Sequence, residues 1–233
     1  MKLAWTLVVP SVILLGLSGR GTTPATRGLL PVAAIAAQGP DSNPLSTQVT
    51  IEPGSRVGPI KLGDTRDRAL ELFPKKAEDQ EWDDKCGGGT TLDWVDSQNS
   101  NGHGDLYIRV NKKGKIFQIE SATTRFHTSE GITIFDHVEK IAEAYKDLRA
   151  YTLLTPPDPT HGDRPLIFWI DKRRGIAFEF AYYPKEGKRY LYKILVFEPN
   201  KNICPEEETI GSPKWQALAP YALEPPIDLA PNQ

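Results

Sequence analysis

The sequence predicts an α+β protein of two similar units in tandem, each a short helix packed on an antiparallel β-sheet. Two observations predict it. Two stretches of helical periodicity are each followed by alternating or wholly apolar runs of strand length. The two sets also align at an offset of about 72 residues, longer than the roughly 20–50 of a solenoid repeat and so suited to a duplicated small domain. The alternative is that the same order of elements recurs by chance. A hydrophobic content of 39% places the body among chains that bury a core.

The N-terminus reads as an export leader. Met1 and Lys2 start it, and Leu3 to Leu17 is apolar and uncharged. That run of about 15 residues is short of the roughly 20 that span a bilayer, and Pro10 interrupts it. Ala34-Ile35-Ala36 has the small-x-small form of a cleavage site, and Ser18-Gly19 is an earlier candidate. Residues 1–36 are therefore assigned to a signal peptide, with an uncleaved anchor as the alternative. Residues 37–48 are a Gly/Pro/Ser/Thr-rich linker. The expected destination is secreted or periplasmic, with no membrane span in the mature chain.

The first unit covers 49–127. Gly58 to Thr65 alternates and then stops at Gly63, and Asp64 or Thr65 can cap a helix over Arg66 to Phe73. Ala69, Leu70 and Phe73 share one face of it, and Pro74 ends it. A polar loop with Trp82 and Cys86-Gly87-Gly88-Gly89 precedes strands at Thr91–Val95, Asp105–Val110 and Ile116–Ala122. The second unit covers 128–204. Asp136 is its cap candidate, and Val138, Ile141, Ala142 and Tyr145 define its helix. Its strands are Tyr151–Leu154, Leu166–Ile170, Ile176–Tyr183 and Tyr190–Phe197. At the common offset Ile60 meets Ile132, Leu62 meets Ile134, Asp64 meets Asp136, Ala69 meets Ile141 and Phe73 meets Tyr145. A Pro-rich tail, 205–233, completes the chain, with one helical turn expected over Lys214 to Leu218.

The segments VGPIKLGDTRDRALELF and TSEGITIFDHVEKIAEAY carry a resemblance. Each resembles the opening of a unit in secreted bacterial domains of the beta-lactamase-inhibitor-protein-like class, in which a glycine turn starts a helix that leads into an antiparallel sheet. Phe135 stands where that pattern has glycine, opposite Gly63. The resemblance covers roughly 51–198 and implies a protein-binding module rather than an enzyme.

The residues themselves offer little chemistry. A net charge of −2 gives no electrostatic case for nucleic acid. His103, His127, His137 and His161 form no ligand-spaced pair, and there is no nucleophile elbow, phosphate loop or dinucleotide fingerprint. The carboxylates at 78–84 and 206–208 have no calcium-loop spacing and read as solvated. No catalytic residue, cofactor or metal is assigned. The two cysteines, Cys86 and Cys204, suit a disulfide in an oxidising compartment. It would close a loop of about 119 residues, worth roughly 4–5 kcal/mol in the chain-entropy model.

Alternation on the last two strands exposes a second aromatic face. Tyr183, Tyr190, Tyr192 and Trp169 are the candidate partner-binding residues, because Tyr and Trp combine large contact area with a polar handle. The competing reading makes these side chains part of a second core layer. The expected function is thus an exported, non-catalytic, inhibitor-like binding module for another exported protein. The alternatives are an envelope scaffold protein, or an enzyme with a dispersed site.

Overall fold

The computed structural model describes residues 49–74, 80–95, 105–153, 165–205 and 212–224. The expected leader and linker lie outside them, as do His103 and His161. The described body opens with three short strands, β1 (Thr50–Glu52), β2 (Arg56–Val57) and β3 (Ile60–Lys61). They fold back on one another antiparallel, and β8 (His127–Thr128) joins β1 in parallel to complete a four-stranded sheet. Ile51, Val57 and Ile60 point from it into the core with no exposure.

Two turn-and-helix segments follow the sequence offset closely. Helix α1 spans Arg66–Leu72 and helix α2 Val138–Ala144, seven residues each. Thr65 caps α1, its hydroxyl accepting from the Arg68 N–H at 3.1 Å. Asp64 does not cap; its carboxylate closes the preceding turn by accepting from the Lys61 N–H at 2.9 Å. The same correction applies to Asp136, which accepts from the Thr133 N–H at 2.8 Å, while His137 occupies the cap position without a side-chain bond. The reason is steric order: the aspartate sits one residue too early to face the free N–H groups of the helix.

Gly63 takes φ +83°, and Phe135, its counterpart, is held at φ +66° with its ring 50% exposed. The turn therefore keeps its left-handed geometry although a side chain replaces glycine. An L-residue in this region costs about 1–2 kcal/mol, and glycine returns about 0.5–1 of that through unfolded-state entropy. F135G should thus stabilise the protein by about 0.5–1 kcal/mol, read as a rise of roughly 1–4 °C in Tm. No rise would show that the ring is held by contacts that offset the backbone cost.

Glu130, just before this turn, ties it to the sheet. Its carboxylate accepts from Arg174 at 2.7 Å, Tyr145 at 2.9 Å and Ser129 at 3.0 Å. Burial alone would raise its pKa, but the bond from Arg174, a backbone hydrogen bond at Glu130 and the bonds from Tyr145 and Ser129 outweigh it and bring the group down from 4.5 to about 2. The folded value lies below the unfolded one, so the stabilisation is complete above pH 4.5 and drains away as pH falls toward 2. The pair is partly open to water, which leaves about 1 kcal/mol. E130Q should have a lower urea midpoint than the parent at pH 7, and the gap should close by pH 2. A gap that persists at pH 2 would assign the loss to packing.

The main sheet has nine strands in the order β13-β9-β10-β11-β12-β7-β6-β5-β4. They are β4 (Gln80–Asp83), β5 (Gly88–Trp94), β6 (Leu106–Asn111), β7 (Ile116–Ser121), β9 (Arg149–Leu153), β10 (Ile167–Asp171), β11 (Ile176–Tyr183), β12 (Lys188–Phe197) and β13 (Trp215–Ala217). Two antiparallel meanders meet where β12 pairs β7, Ile194 to Phe197 against Gln118 to Ser121. This overturns the expected tandem of helix-on-sheet units. The fold is a mostly-sheet body, with one continuous sheet across both halves and two short helices among the described residues. Periodicity locates strands but says nothing about which edges pair, and an antiparallel β7–β12 pairing removes two edges at once.

One face of this sheet packs against the helices. Ile108, Ile119, Val196, Ile194, Phe178 and Trp169 meet Ala69, Leu72, Ile141 and Tyr145 in the larger core cluster. Tyr145 and Phe178 pack edge to face, with centroids 4.8 Å apart. The other face carries a second apolar cluster on β9 to β12, including Phe168, Ile170, Ala177, Leu195 and Phe197, closed by Ile203 and Trp215.

The tail also differs from expectation. Trp215–Ala217 is a strand on the edge of β9 rather than a helical turn, since β9 offers unpaired backbone groups there. Beyond it the Tyr221 hydroxyl donates to the Tyr145 carbonyl at the end of α2, at 3.0 Å. The indole N–H of Trp169 donates to the Ala222 carbonyl at 2.9 Å. Residues 212–224 thus form a docked strap.

Candidate functional site

Strand register decides which side chains share the face away from the helices. Cross-strand partners point the same way. Trp82 pairs with Thr91, Thr91 with Arg109, Arg109 with Gln118, and Gln118 with Phe197. The next row runs from Gln80 through Asp93, Tyr107 and Glu120 to Leu195. Glu179 pairs with Lys193 beside it. The face therefore changes character from apolar on β9–β12 to charged on β5–β7.

The charged groups are buried and organised around Arg109. Its Nε donates to Glu120 at 2.6 Å and its Nη1 to Asp84 at 2.9 Å. Burial alone would lower the pKa of Arg109, but Glu120 and Asp84 outweigh it and push it up, so the guanidinium stays charged. Asp84 also accepts from the Thr91 hydroxyl at 2.9 Å and from the Gly87 N–H. Lys193 lies 3.6 Å from Glu120 and 3.8 Å from Glu179. The Gln118 amide donates to Glu120 at 2.8 Å and to the Cys204 carbonyl at 3.1 Å, and it accepts from the Cys204 N–H at 2.9 Å.

This network spans the disulfide that joins Cys86 and Cys204, whose Cα atoms are 6.2 Å apart. Cys86 lies in the β4–β5 turn and Cys204 follows β12. The glycines beside Cys86 have a steric reason: a Cβ on Gly89 would sit 2.3 Å from the Val110 carbonyl oxygen. The carboxylates expected to be solvated divide accordingly. Asp84 is buried at 2% exposure, and Glu81 holds Arg66 through two oxygens. Glu78, Asp79 and 206–208 lie outside the described residues.

An aromatic strip lies over the network. Trp82 and Tyr107 pack edge to face at 6.3 Å. A β-bulge opposite Glu179/Phe180 sets Tyr192 beside Lys193. The Lys193 ammonium is 4.8 Å from the Tyr107 ring and 5.4 Å from the Tyr192 ring. Tyr183 and Tyr190 pack together at 5.4 Å farther along β11 and β12. All five rings are partly exposed. Burial pushes the Tyr107 phenol up, as it does that of Tyr183, so both stay protonated at neutral pH.

Of the four candidate partner-binding residues, the structure thus places Tyr183, Tyr190 and Tyr192 at the surface. Trp169 is a core residue at 2% exposure, wedged between Phe180 and Tyr221, and offers nothing to a partner. Sequence reasoning missed Trp82, Tyr107 and the buried charges. The available signal was charge at mid-strand: Arg109 between Ile108 and Val110, Glu179 between Phe178 and Phe180. Charges in such positions mark strands buried on both faces, and opposite signs on neighbouring strands mark their pairing. Among the described residues no cluster of His, Cys, Asp or Glu is arranged to hold a metal ion. No helix among them is long and apolar enough to cross a membrane.

Comparison with protein-family models gives no match, and comparison with curated proteins gives none. Among solved structures, the uncharacterized protein YfeY from Escherichia coli is similar at a TM-score of 0.39 and 12% identity, over 65% of this chain and 100% of that one.

Proposed function

We propose that this chain is an exported, non-catalytic protein-binding module that engages its partner through the aromatic strip of Trp82, Tyr107, Tyr192, Tyr190 and Tyr183. The observation that carries the reading is the placement of these partly exposed rings on the sheet face opposite the helices, over a network that fixes the strands beneath them. Rigid aromatic side chains lose little entropy on binding and dominate interface energetics. Export is supported by the leader and by the Cys86–Cys204 bridge, which persists in oxidising compartments. The inhibitor-like resemblance of the two turn-and-helix segments agrees with a binding role.

The test is crosslinking and capture from the envelope and medium of the source cells with the parent and with Y190A/Y192A. The reading holds if the parent recovers a defined protein, the strip variant loses it at least tenfold, and the exposed helix variant E139A retains it. Equal recovery by all three, or recovery of nothing by the parent, would overturn it. Intact-mass analysis of the recovered chain checks export: a mass that retains Met1 with two free thiols would remove that part.

A further inference from the structure

The strap of residues 212–224 covers core side chains at the edge of β9 yet buries none of its own. We infer that it is an exchangeable strand: the groove it fills accepts the same segment of a second copy of this chain, and two copies trade straps to form a closed pair. This does not rest on the binding role proposed above.

The first argument is the match between what the groove demands and what the strap supplies. Trp215, Gln216 and Ala217 pair antiparallel with Leu153, Thr152 and Tyr151, and the Leu218 N–H donates to the Ala150 carbonyl at 2.9 Å. The Trp215 ring packs on Phe168 at 5.0 Å and on Tyr151 at 6.5 Å. Farther along, the Tyr221 ring meets Trp169 edge to face at 5.3 Å, and its hydroxyl lies against the carbonyls of Tyr145 and Lys146. The Ala222 carbonyl accepts from the Trp169 indole, and Glu224 accepts from Arg189 at 3.2 Å. Main-chain pairing along a strand edge, with side chains seated beside it, is how a sheet takes up an extended segment from another chain. The strap of a second copy meets every one of these demands.

The second argument is how lightly the strap is held. Tyr145, Ala150, Leu153, Phe168 and Trp169 beneath it are buried, whereas every residue of 212–224 is half-buried or exposed. Two polar atoms of the strap, Ser212 Oγ and Gln216 Oε1, are shut from water with no hydrogen-bond partner among the described residues. Each such atom weakens the docking it belongs to. Tyr221 stands at φ +59°, in the left-handed region that strains an L-residue. Segments with little burial open at lower free energy than the whole fold. Among the described elements β13 comes last in the chain, so a copy can lend the strap while β1 to β12 stay paired. Lifting it bares the edge of β9 and the Trp169 ring, and an unpaired edge is a template for a strand from another chain. Exchange of identical segments keeps every contact, so it forms a dimer without a new interface. The strap of the same chain competes for the groove, so exchange grows with protein concentration.

The probe is a labelled peptide of residues 212–224, titrated into the full, oxidised chain and into its Y221A variant. Y221A loosens the chain's own strap, so the peptide should bind that variant at least tenfold tighter than it binds the parent. A peptide carrying W215A and Y221A should bind neither. In sedimentation the parent should show a dimer that grows with concentration and is dissolved by excess wild-type peptide. Y221F removes only the hydroxyl at the Tyr145 and Lys146 carbonyls, and it keeps the test decisive if Y221A fails to fold. It should bind the peptide tighter than the parent does, by a smaller factor. Equal binding of the peptide to parent and variants would place it off the groove and overturn the inference, as would no binding at all. A parent that stays monomeric at every concentration, or a dimer that the peptide leaves intact, would remove the second copy as occupant and overturn it equally.

Discussion

An R109M chain should be less stable than the parent by about 3–5 kcal/mol, measured by urea unfolding of the oxidised protein. Arg109 is 5% exposed and satisfies Glu120 and Asp84 with separate arms of one guanidinium. Methionine fills the volume of the arginine stem, so the loss measures the charge rather than a cavity. Removing the cation leaves two buried carboxylates with the neutral donors Thr91, Gly87 and Gln118 and, 3.6 Å from Glu120, the Lys193 ammonium. Breaking a buried pair on one side costs far more than the pair contributes, because desolvation of the remaining charge is no longer compensated. R109K sharpens the test. A single ammonium cannot reach both carboxylates in the fork geometry, so R109K should fall between parent and R109M. A loss under about 1 kcal/mol for R109M would mean that water solvates Glu120 and Asp84.

Much of the local structure was legible in the sequence. Strand β11 occupies Ile176–Tyr183 as its alternation indicates, and both helices begin where apolar spacing places them, α1 with the expected Thr65 as its cap. The Cys86–Cys204 pairing was legible because two cysteines allow one bridge. What pattern could not give was pairing between distant edges. Nothing in Gln118 to Ser121 or Ile194 to Phe197 announces that these runs lie side by side, and that single contact turns two expected units into one sheet. Strand β4 was hidden because Gln80-Glu81-Trp82-Asp83 has no apolar alternation; as an edge strand it holds only Trp82 against the face. Trp215 was misplaced for the opposite reason. Lys214 to Leu218 fits a helical turn locally, and the unpaired edge of β9 decides otherwise. At the site, the tyrosines were visible as alternating residues, but the register that separates surface Tyr192 from buried Trp169 belongs to the tertiary fold.

C86A/C204A should lose about 4–5 kcal/mol, since the bridge joins residues 118 apart and its removal frees a long loop in the unfolded chain. Alanine avoids burying a new hydroxyl at Cys204, which is 2% exposed. The more informative expectation is coupling to Arg109. From Cys204 the hydrogen bonds run through Gln118 to Glu120, on to Arg109 and Asp84, and end at Gly87 beside Cys86. The covalent link and the polar chain therefore join the same two segments by parallel routes. With the bridge cut, the β4–β5 turn and the segment after β12 can move apart and admit water to Glu120 and Asp84, so R109M should then cost less than it does in the bridged protein. A double-mutant cycle should give a sub-additive interaction of about 0.5–3 kcal/mol, the range for residues sharing one network. Additivity within about 0.5 kcal/mol would show that the network holds its geometry without the bridge. In that case the strand positions beneath the aromatic strip are set by Arg109 and its carboxylates alone, and reducing the protein should leave its binding face intact.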